Sequence, residues 1–163
     1  MSFTTKSRAS GAQRKAGAIL GRALADEAGL TALTRECHRK VSGPHFHSLH
    51  RLFADQYRQL EHWLGELDAR RRMLQAAAGA ATDEAGRHVA AAISDTPPPQ
   101  KMLTELLAWH ERLGRRLAGD VHACAERLGD VATANVLSRL AEFHDTTAWM
   151  LRMILHGPRL TPA

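Results

Sequence analysis

The sequence predicts an all-α fold, a bundle of four helices in one domain. Apolar residues recur every three or four positions along most of the chain, as they do on one face of an α-helix. No stretch alternates apolar and polar residues with the period of two that marks a half-buried strand. The chain has 163 residues, 44% of them hydrophobic and only 5% aromatic. One domain with a mainly aliphatic core is therefore expected.

The N-terminal segment, residues 1–15, is basic and contains almost no apolar side chains. It has no acidic residue, and its four cations are Lys6, Arg8, Arg14 and Lys15. A segment that buries little apolar surface does not offset the entropy lost on ordering. We therefore expect a mobile basic arm. From about residue 17, apolar residues at near-helical spacing predict the first helix, which ends before Gly43-Pro44.

The second helix has the clearest pattern, an apolar stripe from Phe46 to Leu74 in steps of three and four residues. The stripe fades into the alanine-rich residues 76–81. Thr82 then resembles the cap of a short extra helix that ends near Ile93. About 20 residues would separate the second helix from the third, which is enough to cross the length of a bundle. One long crossover of this kind is typical of the ferritin-like topology.

The last two helices are marked by proline and glycine. Thr96 followed by three prolines is a helix-start signal, because proline at the first helical positions loses only N–H groups that have no intrahelical partner. The third helix should end at Gly129-Asp130, where Asp130 can cap the fourth. Gly157-Pro158 ends the fourth helix. The expected organisation is thus an arm (1–15), a bundle (16–157) and a short C-terminal tail (158–163).

Charge and composition narrow the class of partner. The chain has 22 lysine and arginine residues against 17 aspartate and glutamate, a net charge of +5, so nucleic acid is the first candidate for an acidic partner. No apolar run approaches the roughly 20 residues of a membrane-spanning helix, and the N-terminus lacks the apolar stretch of a signal peptide. A cytoplasmic protein is expected. Cys37 and Cys124 have no paired spacing and should be reduced thiols.

Residues 34–50 carry a family resemblance. His38 is followed five residues later by Gly43, then by Phe46 and the second histidine, His50; the next helix has F-x-x-x-Y-x-x-L spacing. Residues 129–135 and 149–151 are similar to the two ends of the last helix of the same family. On these motifs the chain, over about residues 17–155, resembles the Dps mini-ferritins, DNA-binding proteins from starved cells.

The resemblance implies a four-helix subunit and a hollow dodecamer with tetrahedral symmetry. It also implies two activities in a nucleoid-associated stress response. One is binding of duplex DNA without sequence preference, and the other is oxidation of ferrous iron by peroxide, with storage of the mineral inside the shell. Because a fold does not settle function, each activity has to be tested on the residues present.

The resemblance places the metal site between two subunits, with two histidines from one and carboxylates from the other. His38 and His50 occupy the histidine positions. The three acidic positions hold Ala54, Gly65 and Ala69. Two neutral imidazoles compensate the charge of a ferric product poorly, so we expect a degenerate site with weak or absent iron oxidation.

Two alternatives remain open for this site. Glu66 and Asp68 lie nearby, and a bulge in the second helix could shift their register and restore an iron-oxidising, iron-storing protein. Without such a bulge, a shift of one residue turns a side chain by about 100°, and the acids would instead form a solvated face with neighbouring arginines. The histidine-rich segment could also bind zinc or copper, which suit imidazole ligands. The residue directly after the first ligand histidine is often a tryptophan in the family and is Arg39 here.

The other landmarks of the family are also altered. The acidic lining expected at the threefold pore is reduced to Asp130, with Asn135 at the second position.

The cations of the arm are expected to bind DNA, although a basic N-terminus can also serve only to keep a protein soluble. His110 and His144 are expected to be packing residues with satisfied hydrogen bonds. The favoured hypothesis is a Dps-like, DNA-binding, protective dodecamer; a shell with an interaction role alone is the remaining alternative.

Overall fold

The computed structural model describes residues 3–78 and 97–157, with side chains described from residue 11 to 75 and from 97 onward. The helices are α1 (Phe3–Lys40), α2 (Phe46–Ala78), α3 (Pro99–His122) and α4 (Val131–His156), and a π-helical turn, Ala123–Arg127, extends α3. These ranges contain no strand, so the predicted all-α class is confirmed. The proposed extra helix near residues 82–93 and the tail 158–163 lie outside the described residues.

The helices form two closely packed pairs, α1 with α2 and α3 with α4. Arg70, near the end of α2, bonds to Asp130 at the start of α4. Pro99, at the start of α3, instead lines a cavity with His45 and Ser48 at the start of α2. The end of α2 and the start of α3 are therefore at opposite ends of the bundle. This placement of the two helix ends is the one that the ferritin-like topology requires.

The core is aliphatic, as the composition predicts. Its largest fully buried side chains are leucines from all four helices, including Leu20, Leu60, Leu113 and Leu151, together with Phe53. Burying each such side chain contributes about 1.5–3 kcal/mol. This shared core fixes the helix faces that point outward and so determines which polar side chains can meet at the surface.

The structure differs from the expected arm, because α1 is continuous from Phe3. Ala12 and Gln13 line a small cavity with Leu74 and Leu128, and Ala16 is fully buried. Alanine, arginine, lysine and glutamine favour helix, and a helix extends readily from a packed segment because each added residue gains one hydrogen bond. Residues 11–15 are thus part of the bundle, with Arg14 and Lys15 exposed. The side chains of Lys6 and Arg8 lie outside the described part.

Both cysteines lie in the described part of the chain. Cys37 and Cys124 are both buried and free. Burial, followed by nearby carboxylates, raises the pKa of Cys37 to about 12 and that of Cys124 to about 11, so both thiols stay protonated near neutral pH. Within residues 3–78 and 97–157, no helix is long and apolar enough to cross a membrane.

Candidate metal site

A pair of imidazoles lies where α1 meets α2. His38 is in the last turn of α1, and His50 is in the second turn of α2. Gly43 has a φ of +96°, a backbone conformation that favours glycine, and it reverses the chain between the two helices. The two imidazole rings lie with their centroids 4.0 Å apart and their planes 34° apart. The family resemblance implied that the loop between the two histidines lets them come together.

The environment of His38 favours its neutral imidazole. Phe46 lies beside His50, with ring centroids 5.1 Å apart. Desolvation and then the neighbouring His50 lower the pKa of His38. A neutral ring nitrogen is the form that ligates a metal. His38 can therefore offer a ring nitrogen to a metal at neutral pH.

No carboxylate from residues 3–78 or 97–157 of the same chain joins this pair. Within the described part of the chain, no three histidine, cysteine, aspartate or glutamate side chains are placed to hold a metal ion. The three positions that the resemblance assigns to acids are on α2: Ala54 is half-buried, and Gly65 and Ala69 are exposed. A Cβ added at Gly65 would meet no atom within 4 Å, so the site has room for a larger side chain.

The acidic side chains near these positions have other partners. Glu66 is 3.6 Å from the guanidinium of Arg139, and Asp68 pairs with Arg72 one turn away. Glu61 accepts a hydrogen bond of 2.5 Å from the hydroxyl of Tyr57. The helix α2 runs unbroken through this region and contains no bulge. This geometry supports a charged, solvated face and gives no register shift that would bring Glu66 into the acidic ligand position held by Gly65.

Arg39, which occupies the position of the family tryptophan, points its charge along its own helix. Its Nη1 donates to Glu36 at 2.7 Å, an i to i+3 contact on α1. His45 and His47 are exposed on the turn and at the start of α2. The imidazole pair is therefore the part of the histidine-rich segment in which two rings meet.

Asp130, the candidate pore residue, has its carboxylate occupied by internal partners. It accepts hydrogen bonds from Arg70 at 2.7 Å, from the backbone N–H of Thr133 at 3.0 Å and from the Thr133 hydroxyl at 2.5 Å. Burial alone would raise the pKa of Asp130, but the bonds from Thr133 and the charge of Arg70 outweigh it and lower the pKa. Asp130 is thus the predicted cap of α4 and a link to α2, while Asn135 is exposed.

We expect Asp130→Ala to lower the free energy of unfolding by about 1–2 kcal/mol, because it removes the cap of α4 and leaves Arg70 without its partner. Asp130→Asn, which keeps a capping oxygen, should cost less. Because the folded pKa is lowered, the ionic part of this contribution is present above the ordinary carboxyl pKa and is lost as the pH falls through the folded value. Urea unfolding at neutral and acidic pH measures both effects. Equal stability of Asp130→Ala and Asn135→Ala would contradict the assignment.

Two histidines that were expected to be packing residues are buried, but only one is fully hydrogen-bonded. The Nδ1 atoms of His110 and His144 are 2.8 Å apart, and His144 Nε2 is 2.6 Å from Glu27 Oε1. Within the described residues, His110 Nε2 and Glu27 Oε2 have no partner. The sequence alone did not single out Glu27. The available signal was an acid lying in the apolar stripe between Ala23 and Leu30.

Comparison with known proteins agrees with this architecture. A family model described as a ferritin-like domain matches residues 17–160. An uncharacterized low temperature-induced protein of Nostoc is 30% identical over 149 residues, covering 88% of this chain and 82% of that protein. The chain therefore belongs to the ferritin-like family.

Solved structures define the subunit type more closely. Dps from Thermosynechococcus elongatus superposes with a TM-score of 0.80 at 23% identity, covering 94% of this chain and 99% of that one. An archaeal Dps homologue from Halobacterium salinarum gives 0.79 at 20% identity, covering 93% and 85%. Dps from Vibrio cholerae, described as a member of the ferritin-like diiron-carboxylate superfamily, gives 0.76 at 21% identity, covering 90% and 92%. The chain has the fold of a Dps subunit.

Proposed function

We propose that the protein is a Dps-type shell that binds DNA and has a degenerate ferroxidase site. The observation that carries the proposal is the imidazole pair at 4.0 Å, together with Ala54, Gly65 and Ala69 at the positions where the family has acids. The test measures iron oxidation and DNA binding on one preparation. Slow oxidation together with salt-sensitive DNA binding is expected, and fast oxidation without DNA binding contradicts the proposal.

Iron oxidation is weak in this account because the site lacks negative charge. A ferrous ion, as substrate, could meet two imidazole nitrogens from His38 and His50. Oxidation raises the charge of the ion by one, and hard oxygen ligands stabilise the ferric product more than imidazole does. Glu66 and Asp68, which adjoin the ligand positions Gly65 and Ala69 on α2, already pair with arginines. The working mini-ferritin alternative would require these pairs to break on assembly.

Assembly into a dodecamer is supported by apolar side chains that a single subunit leaves uncovered. Trp149, Met153 and Ile154 on α4 are 61%, 52% and 45% exposed, although they are large and apolar. A contiguous exposed apolar patch on a helix usually marks an interface. We infer that a neighbouring subunit covers this face in the shell that the family resemblance implies.

DNA binding rests on the cations at the start of α1. Arg14 and Lys15 are exposed, and Lys6 and Arg8 precede them on the same helix. Twelve copies of four cations would give the shell about 48 such charges, and each phosphate contact releases counterions and adds salt-sensitive affinity. Nothing in these side chains provides base readout, so the binding should be independent of sequence.

Zinc or copper binding is a second candidate function, favoured by the adjacent rings and the lowered pKa of His38. We expect the protein to bind zinc, and His50→Ala to weaken that binding by at least about tenfold because one of two imidazole ligands is lost. His47→Ala is the matched control, since His47 is exposed in the preceding turn of the same helix. Competition with a fluorescent chelator measures both variants. Equal zinc affinity of the wild type and His50→Ala would exclude the pair as the site.

A further inference from the structure

The core of the bundle contains a continuous chain of three buried titratable side chains. Glu27 on α1, His144 on α4 and His110 on α3 are only 1%, 0% and 0% exposed. Glu27 Oε1 is 2.6 Å from His144 Nε2, and His144 Nδ1 is 2.8 Å from His110 Nδ1. None of the three has a part in the iron, zinc or DNA chemistry proposed above. These three hydrogen-bonded side chains instead connect three of the four helices through their inner faces.

The surroundings of the two rings are apolar. Phe143 lies against both, with ring centroids 5.9 Å from His110 and 5.3 Å from His144. From α1 the facing charged group is Glu27, and α2 contributes Gln56 as its buried polar side chain, which carries no charge. On α4, Asp145 is exposed and its carboxylate lies against Gly114 of α3. The hydrogen-bond partner of His110 is a ring nitrogen of His144, so a charge placed on His110 would meet a second imidazole there and no carboxylate.

The two short contacts limit how many protons the three side chains can hold between them. His144 Nε2 faces Glu27 Oε1 in one contact, and His144 Nδ1 faces His110 Nδ1 in the other. Each contact has room for one hydrogen. In the contact between the rings, one Nδ1 must donate and the other must accept. If both rings were imidazolium ions, two N–H groups would point at each other across 2.8 Å in a site closed to water. The contact would then have to open.

We propose that Glu27, His144 and His110 form an acid-sensitive lock in the core of the subunit. With one proton in each contact, the chain ties α1, α3 and α4 together. A further proton on His110 can go to either ring nitrogen. At Nε2 it finds no acceptor within the described residues, and at Nδ1 it breaks the contact with His144, so in either case an uncompensated charge in the core loosens the bundle.

The direction of the pH dependence follows from the burial of His110. Burial, and then the neighbouring His144, lower the pKa of His110 from 6.5 to about 3. The unfolded chain therefore binds a proton at this residue below pH 6.5, while the folded chain does not until far lower pH. The contribution of this residue to stability is complete above pH 6.5 and is lost as the pH falls toward 3, by up to a factor of ten in the unfolding constant per pH unit.

His110→Gln tests the lock, because glutamine can still donate to His144 but does not titrate. Urea unfolding of the full chain between pH 7 and 4 should show, relative to the wild type, a pH slope smaller by about one proton. His122→Gln is the matched control, since His122 is exposed on the same helix and should leave the slope as in the wild type. An unchanged slope in His110→Gln overturns the proposal.

A measurement on the unaltered protein covers the case in which the variant fails to fold. Solid-state NMR of histidine-labelled protein should find one ring neutral at pH 5, with the two Nδ1 atoms sharing one hydrogen. A doubly protonated ring pair in a native spectrum at pH 5 overturns the lock. A rise in thermal stability on adding zinc that requires His110 would also overturn it, because the chain would then be a metal site.

Discussion

Replacing the four cations at the start of α1 with glutamine, in a single variant, is expected to weaken binding to duplex DNA by about 100-fold or more in low salt. The substituted residues are Lys6, Arg8, Arg14 and Lys15. The physical reason is that each lost phosphate contact removes the release of one counterion. A mobility-shift titration measures the effect. Wild-type binding should fall by about 10³–10⁵-fold between 50 and 200 mM salt if six to ten phosphates are contacted, with a much flatter dependence in the variant.

Charge substitution is a better test than deletion of residues 1–15, because Ala12 and Gln13 are half-buried and line a cavity with residues of the bundle. The matched control removes four cations that already have carboxylate partners within the chain: Arg22, Arg58, Arg72 and Arg152. This control has the same net charge as the test variant and should bind DNA better than it. Light scattering should give the same shell mass for both. Equal DNA affinity of the two variants would locate the binding surface elsewhere.

Restoring acids on α2 is expected to raise ferrous oxidation at least about tenfold. The double substitution is Gly65→Asp with Ala69→Glu, which places two carboxylates one turn apart on one face of the helix. Both positions are exposed, and a Cβ at Gly65 has free space, so the helix should tolerate the change. The matched control is Gly65→Asn with Ala69→Gln, which adds similar volume without charge. Peroxide-dependent oxidation, followed by absorbance of the ferric product, measures the rates.

Rates that rise equally in the acid and amide variants would show that charge is not the missing element. A fast wild type that loses its activity with Glu66→Gln or Asp68→Asn would instead identify rearranged ligands. The ion pairs of Glu66 with Arg139 and of Asp68 with Arg72 make this second outcome unexpected.

The sequence predicted local features well where one helix and its ends contain the information. The apolar stripe of α2, the cap at Asp130 and the glycine turn that joins His38 to His50 all depend on residues close together in the chain. Helical periodicity and capping chemistry are short-range effects, which is why a single sequence reveals them.

The features that the sequence did not reveal depend on contacts between helices. The helix α1 begins at Phe3, and its residues Ala12 and Gln13 line a cavity together with residues of α2 and of the turn after α3. The buried chain from Glu27 through His144 to His110 spans three helices. Propensity and periodicity treat each helix alone, so neither could show that these side chains meet.

The rate of ferrous oxidation by the assembled wild-type protein tests the central claim most directly. The measurement compares peroxide-dependent oxidation with and without protein, and with His38→Ala, at one iron concentration and one pH. The account predicts that the wild-type rate barely exceeds the uncatalysed rate and that His38→Ala changes it little, because Ala54, Gly65 and Ala69 leave the site without carboxylates. Rapid oxidation by the wild type that is abolished by His38→Ala would contradict it.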